Sequence, residues 1–363
     1  MTASDSPTDH KPPALTRPLR VCQVCYSRGT GGLERHVLDL CAGLAQRHEV
    51  TLVGDESFRP LLDPRVTLAP IEIAVSRINP LRRRRLRLTL EAARPDVVHA
   101  QASKAAALVG PIRGPWRRVA TVHGLKRWTW MFRRYDRVIA VSAAAAQLLG
   151  RIPSHVVRNG IDPPEPPPRP CGRDWLRSEM GLGLSPARPV VIAIGRLAPV
   201  KGFDVLLRAW RSIDADLALV GDGPERAALE ALAASLGLTP RVRFLGLRHD
   251  VPRLLCACDL MVISSRREGL PYVLLEALHL ARPVVATHTP GVAELLPVEA
   301  LCPPDDPAAL ARVIQHALDD LPQALLRMAP AWALARRELT REAMVRGVEA
   351  VYSELFTAGA APR

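Results

Sequence analysis

Between Pro163 and Pro170 the chain carries six prolines in eight residues. Proline locks φ and brings no backbone N–H, so this run can be neither a helix nor the interior of a sheet. It reads as a stiff connector, and it divides the 363 residues into two parts of ordinary domain size. On either side one pattern recurs: a short apolar run, a glycine- or serine-bearing loop, then apolar residues at helical spacing. The first part predicts strands at 19–25, 49–53, 66–71, 96–99, 118–122, 137–141 and 154–157. The second predicts them at 190–194, 217–220, 242–246, 260–263 and 283–286, with helices from 306 to the end. Strands alternating with helices imply parallel, doubly wound α/β sheets. Such sheets take ligands at the carboxyl ends of their strands.

A hydrophobic fraction of 48% is enough for full cores, while an aromatic fraction of 4% leaves little for base-stacking platforms. No nucleic-acid-binding module is recognisable. Seven scattered cysteines, an odd number without a paired framework, suit a reducing compartment. Cys22 and Cys25 form C-x-x-C with no second pair at zinc spacing, so they are read as strand cysteines, and Cys256 and Cys258 likewise. Residues 1–18 have no apolar signal-like run, and the apolar window Val138 to Gly150 is too short to span a bilayer. A cytoplasmic location is expected.

The charge is lopsided. Residues 1–160 hold 26 Lys/Arg against 12 Asp/Glu, whereas residues 161–363 hold 23 against 24. The first half is therefore expected to face something anionic. Arg82, Arg83, Arg84, Arg85 and Arg87, and again Arg133, Arg134 and Arg137, alternate with apolar residues. They fit a helix face lying on anionic lipid, and each fits an ordinary solvated basic face as well.

Chemistry-bearing residues gather where strands end. Leu260 to Ile263 is an apolar run closed by Ser264 and Ser265; Glu268 follows in a Gly/Pro loop, and Pro271 suits the first turn of a helix that carries Glu276. One carboxylate then stands at a strand end and another on the helix behind it, with free backbone N–H groups in the stretch from Gly269 to Tyr272 facing the same crevice. After Val190 to Ile194 come Arg196 and Lys201, a planar fork and a compact charge suited to a pyrophosphate. Gly31 and Gly32 follow the first strand, where glycine lets a ligand approach the backbone closely. His99 and His123 close two further strands, as ligands or as structural hydrogen-bonders. Asp214-Ala215-Asp216 precedes a strand and reads as a turn. Ser142 reads as a helix N-cap.

Taken in order, Gly31-Gly32-Leu33-Glu34, His123-Gly124, Asn159-Gly160-Ile161-Asp162, Gly195-Arg196-Leu197 with Lys201-Gly202, Gly221-Asp222-Gly223-Pro224, Glu268 with Glu276, and Thr289 to Glu294 resemble the motifs of retaining GT-B glycosyltransferases of family 4. The resemblance implies a GT-B fold, with two Rossmann-like doubly wound domains facing a cleft. Its parts would be a disordered tail (1–18), an acceptor domain (19–162), a linker (163–173), a sugar-nucleotide domain (174–340) and a last helix (341–363) that crosses back. By the same resemblance Glu268 and His123 meet the donor sugar at the catalytic centre. Arg196 and Lys201, with Gly31 and Gly32, hold the diphosphate. Glu276, Gly269, Leu270 and Pro271 line the ribose and sugar, and Leu247 and Arg248 the nucleobase side. No metal or resident cofactor is implied. The donor is a sugar nucleotide, with UDP favoured and a hexose-type sugar. The acceptor is a surface glycan or glycolipid such as lipopolysaccharide core or O-antigen, met at the inner face of the membrane. A non-catalytic sugar-nucleotide-binding protein and an epimerase of the same fold are the alternatives.

Overall fold

The protein is described by a computed structural model over residues 15, 17–28, 31–71, 80–124, 128–165, 172–181 and 188–357. Most of the expected tail, Gly29 and Thr30 of the first glycine loop, residues 166–171 of the proline run and the side chain of Arg82 lie outside the described residues.

The first sheet contains β1 (Arg20–Cys25), β2 (Glu49–Gly54), β3 (Thr67–Pro70), β4 (Val97–Gln101), β5 (Arg117–Val122), β6 (Arg137–Ala140) and β7 (Ser154–Val156). The second contains β8 (Val190–Ile194), β9 (Asp216–Val220), β10 (Val242–Gly246), β11 (Leu260–Ile263), β12 (Val284–Thr287) and β13 (Leu301–Cys302). Their orders are β3-β2-β1-β4-β5-β6-β7 and β10-β9-β8-β11-β12-β13. Every pairing is parallel.

Parallel strands covered by helices on both faces must be apolar on both, and these are. In β1, Cys22 and Val24 join one core while Val21 and Cys25 join the opposite one. In β8, Val190 and Ile192 are divided in the same way from Val191 and Ala193. Each sheet reverses its winding direction once, between β1 and β4 and between β8 and β11. Those two points open crevices at the strand ends.

The chain returns to its first half at the end. Leu321–Glu338 packs Met328, Ala331 and Ala335 on the second domain. After it, Ile161 bridges Thr340, and the last helix, Arg341–Thr357, lays Met344, Val345, Val348, Val351, Tyr352 and Leu355 among Val37, Leu40 and Leu44 of the first. This last helix meets the first one, Gly32–Leu44, at Gly43, where an added Cβ would come within 2.4 Å of Val345 Cγ2.

Two readings of the sequence need correction. Cys256 lies within the helix Val251–Ala257 and Cys258 caps it, so neither is a strand cysteine; the apolar residues there follow helical spacing. Arg133 and Arg134 belong to a 3-10 turn, Trp130–Arg134, and Arg137 opens β6 and pairs with Glu354, so this cluster is not a helix face. The two-residue β13 was not foreseen, being too short to show any period. No described helix is long and apolar enough to cross a membrane.

Candidate functional site

The second domain brings its charged groups to the end of β8 and β11. Gly195 N–H donates to the Val220 carbonyl, continuing the sheet past β8, and a short turn, Pro199–Lys201, leads to the helix Phe203–Ala209. Gly202 between them has φ +64°, and a Cβ there would come within 2.2 Å of the Ser264 carbonyl oxygen. Glycine is thus required both by conformation and by the close approach of the β11 loop. The Ser264 hydroxyl donates to the Lys201 carbonyl at 2.9 Å, and Arg266 N–H to the Val200 carbonyl at 2.8 Å. These bonds tie the two loops into one unit.

Lys201 Nζ is paired with the Glu268 carboxylate, which also accepts from the Ser265 hydroxyl at 2.7 Å. The two residues assigned separately to diphosphate and sugar therefore touch each other. Arg196 stands exposed and makes no ion pair with any described residue. Glu276, on the helix Tyr272–His279, faces the first domain; burial raises its carboxyl pKa, Arg35 lowers it and Asp39 raises it. Arg248 is held by Asp250 and, at 2.9 Å, by Glu179, and Leu247 beside it is exposed.

The first domain meets this group with backbone. Pro271 is the N-cap of the Glu276 helix, and the Leu270 carbonyl accepts from Asn159 Nδ2 at 2.9 Å. A Cβ on Gly269 would lie 2.4 Å from the His123 carbonyl oxygen, and one on Gly32 would meet the Tyr272 ring at 3.8 Å. Gly32 opens the first helix, Gly32–Leu44, with Gly31 as its N-cap. Glu294 closes the seam elsewhere. Its carboxylate accepts from Ala143 and Ala144 N–H at 3.2 and 3.0 Å, while Ser142 caps Ala145 as expected.

His36 was not singled out in the sequence, yet it is buried against His123 with ring centroids 4.4 Å apart. Within this seam the Tyr272 hydroxyl finds no partner among the described residues, and the His36 ring and Asn159 Oδ1 have only each other, without a hydrogen bond of good geometry. Buried polar atoms without partners are rare and commonly mark a place that a ligand or water completes. Gln101 was also missed: its Oε1 lies 2.7 Å from His123 Nε2. Neither residue carries a motif signal of its own, since only the fold brings them beside His123. No group of three or more His, Cys, Asp or Glu among the described residues could hold a metal.

The three histidines make the seam sensitive to acid. Burial pushes His36 down to about 4 and His99 down to about 3 from the usual 6.5, and it lowers His123 well below that value. The folded state refuses protons that the unfolded chain takes, so stability is present above pH 6.5 and is lost as pH falls through that window. For His36 the loss is about 3 kcal/mol by pH 4. Glu276 and Asp39, with raised carboxyl pKa values, act in the opposite sense and offset part of it. Urea unfolding between pH 7.5 and 4.5 is expected to show about two net protons taken up near pH 5. His36→Gln should remove about one of them; a flat stability profile would contradict the buried, neutral histidines.

Comparison with known proteins covers both domains. The description "Glycosyltransferase Family 4" matches residues 30–165, and "Glycosyl transferases group 1" matches residues 188–320. The lipopolysaccharide core biosynthesis mannosyltransferase LpsB of Rhizobium meliloti is 30% identical over 247 residues, which is 62% of this chain and 68% of that protein. The 2-deoxystreptamine N-acetyl-D-glucosaminyltransferase of Streptomyces fradiae is 29% identical over 353 residues, 80% of this chain and 83% of that one. Among solved structures, HepE of Anabaena in complex with UDP is similar with a TM-score of 0.76 and 25% identity, over 92% of this chain and 99% of that one. With both halves matched and the GT-B architecture in place, the chain belongs to the group 1, family 4 glycosyltransferases.

Proposed function

We propose that this glycosyltransferase moves a hexose-type sugar from a UDP-sugar to a lipopolysaccharide-core or related surface-glycan acceptor, with retention at the anomeric carbon and without a metal. The observation that carries the reading is the gathering of two cations and two carboxylates where the second sheet reverses: Arg196 and Lys201 after β8, Glu268 and Glu276 after β11, with Lys201 and Glu268 paired. A diphosphate entering there meets Arg196, which has no competing ion pair among the described residues, and draws Lys201 from Glu268. The freed carboxylate then accepts from the sugar hydroxyls beside His123. Negative charge that develops on the leaving β-phosphate is stabilised by the two cations and by the N–H groups at the start of the Glu276 helix. The departing oxygen takes the acceptor proton on the same face, which gives retention without a protein nucleophile. The bound UDP of HepE and the lipopolysaccharide role of LpsB support the choice of donor and acceptor class.

Calorimetry with UDP tests this reading. Each of Arg196→Ala and Lys201→Ala is expected to weaken UDP about 10- to 100-fold, the worth of a charge-assisted hydrogen bond. Glu276→Gln should lower UDP affinity as well, because a ribose contact is made in the ground and transition states alike. Glu268→Gln should lower turnover while UDP affinity holds. Unchanged UDP affinity in both cation variants would remove the diphosphate assignment.

We also propose that the first domain rests on anionic lipid. On the helix Pro80–Ala93, Leu86 and Leu90 are buried, while Leu81 is 71% and Leu88 55% exposed. Leu81, Arg84, Arg85 and Leu88 fall on one stripe, with Arg83 exposed beside it. An exposed stripe of leucines and arginines suits the headgroup boundary. The exposed Trp128 and Trp130 lie on the same domain. Replacing Arg82, Arg83, Arg84 and Arg85 by Ser should cost about 1 kcal/mol of membrane affinity per charge. Co-sedimentation with anionic liposomes that is lost in the quadruple variant, and absent with neutral liposomes, is the expected result; equal sedimentation of both proteins would contradict it.

A further inference from the structure

A chain of buried hydrogen bonds runs from the returning C-terminal helix to His123. Tyr352, fully buried in Arg341–Thr357, has its hydroxyl 2.7 Å from His99 Nδ1 and accepts from Gln23 Nε2 at 3.1 Å. Gln23 Nε2 also lies 3.4 Å from His99 Nδ1, and His99 Nε2 is 2.7 Å from Thr121 Oγ1. Gln101 Nε2 donates to Gln23 Oε1 at 2.8 Å, and Gln101 Oε1 lies 2.7 Å from His123 Nε2. Gln23, His99, Gln101 and Thr121 are all buried.

The donor and acceptor roles follow one another along this chain. Gln23 offers its NH2 to the Tyr352 oxygen, so the Tyr352 proton goes to His99 Nδ1 and the His99 proton sits on Nε2, facing Thr121. With its NH2 committed in one direction, Gln23 turns its carbonyl to Gln101. Gln101 in turn can present only a carbonyl to His123. A carbonyl oxygen accepts and never donates, so His123 must carry its proton on Nε2 and keep a lone pair on Nδ1.

We infer that Gln101, Gln23 and Tyr352 are positioning residues for glycosyl transfer: they hold His123 in its Nε2–H form, so that Nδ1 accepts a hydrogen bond from a donor-sugar hydroxyl. The inference rests on the placing of His123 at the donor sugar proposed above. It also gives the crossing-back helix a part in the chemistry, since Tyr352 is supplied by the end of the chain and His123 by the first sheet. Buried networks of this kind specify one arrangement only while each member is satisfied. Without the tyrosine hydroxyl the two amides are free to turn over, and Gln101 can then offer NH2 to His123 and move its proton to Nδ1.

The test is nitrogen NMR of the full-length protein with 15N-labelled histidine, read alongside turnover with a UDP-sugar. In the wild type His123 should show a protonated Nε2 and an unprotonated Nδ1. Tyr352→Phe should shift both ring signals toward a mixture of forms and lower kcat about tenfold, the scale seen for residues that orient another group, with little change in UDP affinity. Gln101→Leu, which deletes the acceptor itself, should do the same and serves where Tyr352→Phe does not fold. Gln101→Glu presents only acceptors, so combined with Tyr352→Phe it should restore the Nε2–H signature. A wild-type His123 protonated on Nδ1, or ring signals unmoved in folded Tyr352→Phe, would overturn the hydrogen-bond chain. Ring signals that move while turnover stays at the wild-type rate would overturn the placing of His123 at the sugar instead.

Discussion

The loop at Gly269 brings the two domains into backbone contact, and the site is arranged around it. Gly269 approaches the His123 carbonyl on one side, and its own carbonyl is so close to Gly291 that a Cβ there would fall within 1.4 Å of the oxygen. Neither position tolerates a side chain. Because the loop after β11 is pressed between the end of β5 and the short helix Pro290–Ala293, the carboxylate one residue earlier and the helix three residues later are held in place with it. Asn159 and Glu294 add side-chain bonds across the same seam. Close packing of this sort has few alternative arrangements, so a small change at one side must move the other.

Polar groups at the seam are kept in states that a ligand can use. Lys201 and Glu268 neutralise each other, which avoids leaving a partly buried charge unpaired. The buried histidines are held neutral, and Glu276 pays a desolvation penalty that Arg35 only partly offsets. The unpartnered Tyr272 hydroxyl and the poorly satisfied His36 and Asn159 complete a surface that is polar but not self-satisfied. In such a surface hydrogen bonds to a substrate replace missing partners rather than existing ones.

Much of this was legible in the sequence because it is written in local patterns. Apolar runs of strand length ending in glycine or serine located β1, β8, β9 and β11, and the proline run separated the two sheets. Arg196, Lys201, Glu268 and Glu276 could be singled out because each stands at a fixed distance from a strand end. His36 and Gln101 could not. A histidine on an apolar helix and a glutamine at a strand terminus have no local signature, and their meaning comes from residues far along the chain, Asn159, His123 and Tyr352. The Lys201–Glu268 pair is of the same kind: both residues were identified, but their contact spans 67 positions and depends on β8 and β11 being neighbours. Cys256 and the cluster at Arg133 were misread because a run of fewer than eight residues does not separate helix, turn and strand by period.

The central claim is that the strand ends of the second sheet hold the diphosphate of a sugar nucleotide. A crystal structure of the protein with bound UDP tests it most directly. The account predicts both phosphates at the end of β8, within hydrogen-bonding distance of Arg196 and Lys201, the Lys201–Glu268 pair broken, and the ribose against Glu276. UDP bound elsewhere, or bound there with Lys201 still on Glu268, would contradict it.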